Sequence, residues 1–271
     1  MPRRSLAQRA DRYALYQKAV QSPDFEVDFF LQRYRELRGG RPLLLREDFC
    51  GTALLCAAWC RSSPRRRAYG VDLSAEALAW GRRHHLRGLG RRVRLIQANV
   101  LEVAGPPADV ACAMNFSYCV FQTRGGLRHY FEVVRRSLKE DGLFFLDLLG
   151  GTEAMGVAEE ERPIPGEEAT YVWEQASFDP VTHAMECHIH FRFPDGSSLR
   201  RAFSYRWRLW TLPEVLELLQ EAGFARTHLW WEEVAEDPAD PEMLRGTGRY
   251  VPVTGPMENQ ESWIAYLVAE A

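Results

Sequence analysis

Between residues 43 and 149, short apolar runs alternate with stretches of helical periodicity, and each run stops at a polar or turn residue. Few folds accommodate that alternation. The first run, Leu43, Leu44 and Leu45, ends at two acids, Glu47 and Asp48, before the tight turn Phe49-Cys50-Gly51-Thr52 and a helix of small and apolar residues over 53–59. A second run, 67–72, ends at Asp72, and Ser74 is placed to cap the helix that carries His84 and His85. The third, 93–98, ends at Asn99-Val100, and the fourth, 108–114, at Asn115-Phe116-Ser117-Tyr118. A helix over 125–138 and the turn Lys139-Glu140-Asp141-Gly142 lead into a fifth run, 143–149. In a parallel sheet every strand C-terminus lies on one edge, so these polar ends converge on one crevice.

Several stretches resemble class I S-adenosylmethionine-dependent methyltransferases. Residues 47–53 are similar to that family's first motif, acid-x-Gly-x-Gly-x-Gly, with Glu47 as the acid, Gly51 as the central glycine, and Phe49 and Ala53 where the outer glycines would stand. SLKEDGLFFLDL (137–148) resembles the fourth helix, acidic-Gly turn and fifth strand, and TLPEVLELLQEAGF (211–224) the last helix. The resemblance covers roughly 43–150 and implies an α/β fold: a doubly wound, mostly parallel Rossmann-like sheet with an antiparallel last strand. It also implies S-adenosyl-L-methionine as cofactor and methyl transfer by in-line displacement to a nitrogen or oxygen of a small-molecule acceptor. Carried over by position, Glu47 stands near the cofactor's amino-acid part, Phe49 and Gly51 at the backbone approach, and Asp72 with Leu73 at the ribose. Asn99 with Val100 falls at the adenine, and Asn115, Phe116 and Tyr118 where methyl and acceptor meet. An acid at the second strand tip can accept hydrogen bonds from both ribose hydroxyls, and an amide at the third can meet adenine without burying a charge. Phe49 is expected to keep ordinary backbone angles.

Residues 1–40 read as a helical cover, with aromatics at helical spacing, a break near Ser22-Pro23 and an end at Gly39-Gly40. The resemblance makes Tyr13, Tyr16 and Gln17 lid contacts over the cofactor; packing of one helix on another is the alternative. Residues 151–209 break the βα rhythm. Acidic, proline-containing residues 153–168 read as a mobile connection, followed by strands over 170–178, 184–193 and 198–209. They form an antiparallel meander, which the resemblance makes a substrate lid inserted into the Rossmann-like domain of 41–150 and 210–271. Trp173, Tyr205, Trp207 and Trp210 line an acceptor pocket or pack the sheet. Tyr118, Tyr205 and His188 are the groups expected to take the acceptor's proton, although no spacing identifies a base. His183, Cys187, His188 and His190 do not make up a metal-ligand set by spacing, so no metal is expected. Thr211 and Glu214 form a capping box. Beyond it come a strand over 227–231, an acidic loop over 236–241 and a final antiparallel strand over 262–268; Gly246-Thr247-Gly248 gives no assignable element.

With 271 residues and a formal net charge of −3, the chain can bury a large α/β core and does not suit a phosphate-driven nucleic-acid partner. Arginines cluster at 65–67 and 91–94, the only support for an RNA methyltransferase. Six cysteines without a CxxC pair, no apolar run of ~20 residues and no signal-peptide core give a reduced, cytoplasmic protein with no membrane partner. Two further alternatives are a nicotinamide-dependent oxidoreductase, which is expected to keep the GxGxxG turn that 47–53 lack, and a non-catalytic nucleoside-binding module. The sequence does not fix the oligomeric state.

Overall fold

A computed structural model describes residues 4–237 and 240–271. In chain order its elements begin with helices α1 (Leu6–Arg9), α2 (Arg12–Val20) and α3 (Pro23–Arg38). The βα series follows as β1 (Leu44–Asp48), α4 (Leu54–Arg61), β2 (Arg67–Asp72), α5 (Ala75–His84), β3 (Val93–Gln97), β4 (Ala108–Ala113), α6 (Arg124–Ser137) and β5 (Leu138–Gly150). Next come β6 (Ala158–Pro163), β7 (Thr170–Phe178), β8 (Ala184–Arg192) and β9 (Ser198–Arg208). The chain closes with α7 (Leu212–Glu221), β10 (Arg226–Asp237), β11 (Asp240–Pro252) and β12 (Trp263–Glu270).

These elements form two compact units. One comprises the described residues up to Ser22, Cys119–Gln122 and Met155–Trp210; the other comprises Pro23–Tyr118, Thr123–Ala154 and Thr211–Ala271. The larger unit holds an eight-stranded sheet in the order β11-β10-β12-β5-β4-β1-β2-β3. Strands β5, β4, β1, β2 and β3 run parallel, and β12 pairs antiparallel with β5. The parallel strands are apolar because helices cover both faces, and all six residues of β4 are buried. Ser74 caps α5 through Ala77 N–H at 3.1 Å, and Thr211 and Glu214 form the expected capping box on α7.

Strand β1 separates its two acids by the two-residue alternation of a strand. Glu47 shares a face with Leu45, toward α4, where its carboxylate accepts the Cys56 N–H at 2.8 Å. Asp48 points the other way and joins a buried network with two partners. Arg46 Nε donates to Asp48 Oδ1 at 2.9 Å, Tyr130 Oη of α6 donates to Asp48 Oδ2 at 3.0 Å, and Arg46 Nη2 donates to the Val100 carbonyl at 3.0 Å. On the α4 side, Phe30 of α3 packs on Phe145 with ring centroids 4.3 Å apart, and Phe29 packs on Tyr266 at 5.0 Å.

Four expectations change. Helix α3 belongs to the sheet unit, because Phe29, Phe30 and Tyr34 bury their rings in its core; the first 40 residues are therefore not one cover. The turn at 139–142 is absorbed within β5, where the register shifts between the Ala108–Leu138 and Val110–Leu143 pairs. The connection at 153–168 contains a strand, β6, whose backbone pairs with β7 from Ala158–Gln175 to Pro163–Thr170. The segment around Gly246 lies in β11, paired with β10. Of the expected loop at 236–241, residues 238 and 239 lie outside the described residues.

The smaller unit is a four-stranded antiparallel sheet, β6-β7-β8-β9, with α1 and α2. Leu15 of α2 buries against Tyr171, Ile189, Phe191 and Ala202 on one sheet face. Among the described residues no helix is long and apolar enough to cross a membrane.

Removing Asp48 strands a buried guanidinium. Asp48→Ala is expected to lower the unfolding free energy by about 3–5 kcal/mol in urea denaturation, against roughly 1.5–3 kcal/mol for Tyr130→Phe, which leaves the ion pair in place.

Candidate active site

The parallel strands end on a rim where backbone strain collects. Phe49 (φ 56°), Gly51 (φ 53°) and Ala53 (φ 56°) are all left-handed, so the two residues standing where the motif would carry outer glycines adopt the angles glycine would. The expectation of ordinary angles at Phe49 is thereby corrected. Phe49 and Ala53 each cost about 1–2 kcal/mol in that conformation, Gly51 does not, and hydrogen bonds hold the turn against that cost. Cys50 N–H donates to the Val71 carbonyl at 3.0 Å and Ala53 N–H to the Cys50 carbonyl at 2.7 Å. Gly51 N–H donates to Asp72 Oδ2 at 2.8 Å. The other oxygen of Asp72 accepts Ser74 N–H at 2.7 Å. One carboxylate thus ties the turn after β1 to the turn after β2, and each oxygen keeps a lone pair for a ligand.

A second strained turn follows β4. Asn115 and Phe116 both have φ 56°, and Asp147 of β5 accepts both of their N–H groups, at 2.8 and 2.9 Å. Asn99, after β3, accepts Leu101 N–H on its amide oxygen at 3.1 Å. Val100 beside it is buried, and Leu73, beside Asp72, is 70% exposed. A bare leucine at a strand tip suits the flat face of a base.

Three carboxylates lie buried on the α4 side of the sheet. Burial pushes Glu47 up to about 7 against the hydrogen bonds from Cys56 that pull it down. Asp147 rises to about 7 through burial despite the backbone N–H groups it accepts. Glu26 of α3 rises to about 8 through burial, then through the nearby charges of Asp147 and Glu47. Neither Glu26 nor Asp147 was singled out from sequence. The signals were present: Glu26 lies on the apolar helix face with Phe29 and Phe30, and Asp147 interrupts the apolar run LFFLDLL.

Of the expected site residues, Glu47, Phe49, Gly51, Asp72, Leu73, Asn99, Val100, Asn115, Phe116 and Tyr118 lie in the sheet unit. Tyr118 is buried beside Phe131, 6.4 Å between centroids. Tyr16, Tyr205 and His188 lie in the smaller unit. There Tyr16 packs on Phe203 at 5.0 Å and is hydrogen-bonded to Tyr205, whose hydroxyl burial pushes well above the ordinary range. Tyr205 pairs across the sheet with Cys187, which places it on the face opposite His188. His188 Nδ1 lies 2.8 Å from Ser204 Oγ, and His190 Nε2 lies 2.8 Å from Glu174. The sheet therefore does not bring Tyr205 and His188 to one point.

A family model described as "Methyltransferase domain" matches residues 49–142. Solved structures share the fold over nearly the whole chain. A S-adenosylmethionine-dependent methyltransferase from Clostridium acetobutylicum is 19% identical with a TM-score of 0.68, covering 95% of this chain and 97% of its own. An amino pentose methyltransferase from Micromonospora echinaspora, solved with S-adenosylmethionine bound, is 16% identical with a TM-score of 0.66, covering 96% of both chains. A sugar N-methyltransferase from a Streptoalloteichus species is 18% identical with a TM-score of 0.62, covering 100% of this chain and 95% of its own. No curated protein matches the chain. At these identities the structural likeness is one of fold. Residues 49–142 thus carry a methyltransferase-domain match, and the chain as a whole shares the fold of S-adenosylmethionine-dependent methyltransferases.

The raised carboxyls set a pH dependence. Each holds a proton in the folded chain that the unfolded chain releases above pH ~4.5, so their contribution is full below that pH and is lost as pH rises through 7–8. Urea denaturation of the unliganded chain should show unfolding free energy falling by at least ~1 kcal/mol between pH 6 and 9; a flat profile would contradict the buried state of these groups.

Proposed function

We propose that the chain transfers the methyl group of S-adenosylmethionine to a nitrogen or oxygen of a small-molecule acceptor, and that an amine on a sugar-like molecule is the first acceptor to test. The observation that carries this reading is the carboxylate of Asp72 joined to both rim turns, with lone pairs left over. Support for the acceptor class comes from two of the similar structures, named as an amino pentose methyltransferase and a sugar N-methyltransferase.

When bound, the cofactor brings a methyl group already activated on a sulfonium. What remains for the chain is alignment and exclusion of water, and orientation supplies much of the rate in such transfers. Gly51, without a side chain, lets a ligand approach the backbone, and an added Cβ there would meet no protein atom within 4 Å. Asp72 receives the ribose hydroxyls and Leu73 offers an apolar face to the adenine. Asn99 addresses the edge of the base, with Val100 beside it. Glu47 serves the amino-acid end. Asn115 and Phe116, held in their left-handed turn by Asp147, border the place where methyl and acceptor meet. Tyr118 is the group of the sheet unit to test for proton removal, and Tyr16, Tyr205 and His188 of the smaller unit are to be tested by substitution against the methyl-transfer rate. All six cysteines are buried and free, which fits a reducing cytoplasm.

Thermal-shift measurements should show stabilisation by S-adenosylhomocysteine and none by NAD; the reverse result would favour an oxidoreductase. Gly51→Ala should cost the fold only about 1–2 kcal/mol of backbone strain, yet weaken S-adenosylhomocysteine binding by more than about tenfold in calorimetry. Unchanged affinity in that variant would remove the turn from the site. A methyl-transfer assay over amino sugars and other small amines and alcohols tests the acceptor.

A further inference from the structure

Helix α3 carries a carboxylate for which the described residues provide no partner. Glu26 is 5% exposed, and among the described residues neither of its oxygens makes a hydrogen bond or an ion pair. It stands one helical turn before Phe30, whose ring rests on Phe145, so it faces the next residue of β5 on that side, Asp147. The groups around it come from several elements: Asp147 of β5, Glu47 of β1, Cys112 of β4 and Tyr266 of β12, with Tyr250 of β11 and Glu232 of β10 beyond them. None of these is a cation. Two of the three inner carboxylates have work within the fold, Glu47 on Cys56 N–H and Asp147 on two turn N–H groups. Glu26 has none, and a buried unpaired carboxylate beside two others is costly.

We propose that Glu26 is a cofactor-binding residue: its carboxylate, together with that of Glu47, receives the α-ammonium of the methionyl end of the cofactor. This rests on the reading that the rim binds S-adenosylmethionine. The occupant has to be a cation, since only positive charge offsets adjoining carboxylates. A metal ion does not fit, because among the described residues no three His, Cys, Asp or Glu side chains are spaced to hold one. An ammonium suits the place, as it carries three N–H donors and tolerates ligands set farther apart than metal coordination allows.

In the unliganded chain Glu26 is protonated at neutral pH, its carboxyl pushed up to about 8 by burial and by its acidic neighbours. Docking of an ammonium favours the ionised form, so binding below pH 8 expels a proton and affinity rises with pH. Ligands of this chemistry separate the possibilities. S-adenosylhomocysteine has the ammonium and a neutral sulfur, whereas 5′-methylthioadenosine has the nucleoside and no ammonium. Calorimetry in two buffers of different ionisation enthalpy reads both affinity and proton release. Wild-type protein should bind S-adenosylhomocysteine at least about tenfold more tightly at pH 8.0 than at pH 6.5 and release between one and two protons at the lower pH, since Glu47, raised to about 7, titrates with Glu26. Glu26→Gln should weaken that ligand about tenfold or more at pH 8.0 and cut the proton release by about one, leaving the smaller part that Glu47 supplies, while 5′-methylthioadenosine binds both proteins alike and without proton release. Equal S-adenosylhomocysteine affinity in the variant, or no proton release from the wild type, overturns the assignment to Glu26. Loss of both ligands in the variant also overturns it, since it would trace the effect to the nucleoside cradle. Failure of the wild type to bind either ligand counts instead against the methyltransferase reading.

Discussion

Asp72 accepts one backbone N–H from the turn after β1 and one from the turn after β2, and the arrangement of the rim follows from that pair of bonds. Without that carboxylate the Gly51 N–H in the turn and the Ser74 N–H at the start of a helix would each lose their acceptor. Charge-assisted hydrogen bonds to a carboxylate are worth more than neutral ones, and here they act against left-handed angles at Phe49 and Ala53. Asp147 repeats the device after β4, holding Asn115 and Phe116. In both places an acid from a neighbouring strand fixes a turn that the turn's own residues disfavour. The residues expected to touch a ligand are thereby set by carboxylates rooted in the sheet.

Much of this was legible in the sequence wherever a pattern has a local cause. The βα alternation, the Ser74 cap, the Thr211–Glu214 capping box and the three strands of the meander are written by neighbours in the chain, and each is found. Strand β6 was missed because its glutamates and prolines look like loop; what makes it a strand is pairing with β7, a contact outside the segment. Strand β11 was missed for a similar reason, since it forms by lying along β10. Helix α3 was assigned to a cover because its aromatics have no visible destination until Phe145 and Tyr266 are in place.

The candidate site residues divide the same way. Glu47, Gly51, Asp72 and Asn99 could be named because strand ends are visible in sequence. Arg46 and Asp48 looked like a strand terminus but form a buried ion pair closed by Tyr130, a residue more than eighty positions away. Glu26 and Asp147 each break an apolar pattern, which is the trace a buried acid leaves. Nothing in the sequence could show that Tyr205 and His188 stand on opposite faces, because that depends on strand register.

The turn at 49–53 keeps its left-handed backbone without glycine at two of the three positions. Side chains are tolerated at those positions because a neighbouring acid holds the hinge closed. A pattern that insists on three glycines does not describe this turn, whereas its torsion angles do.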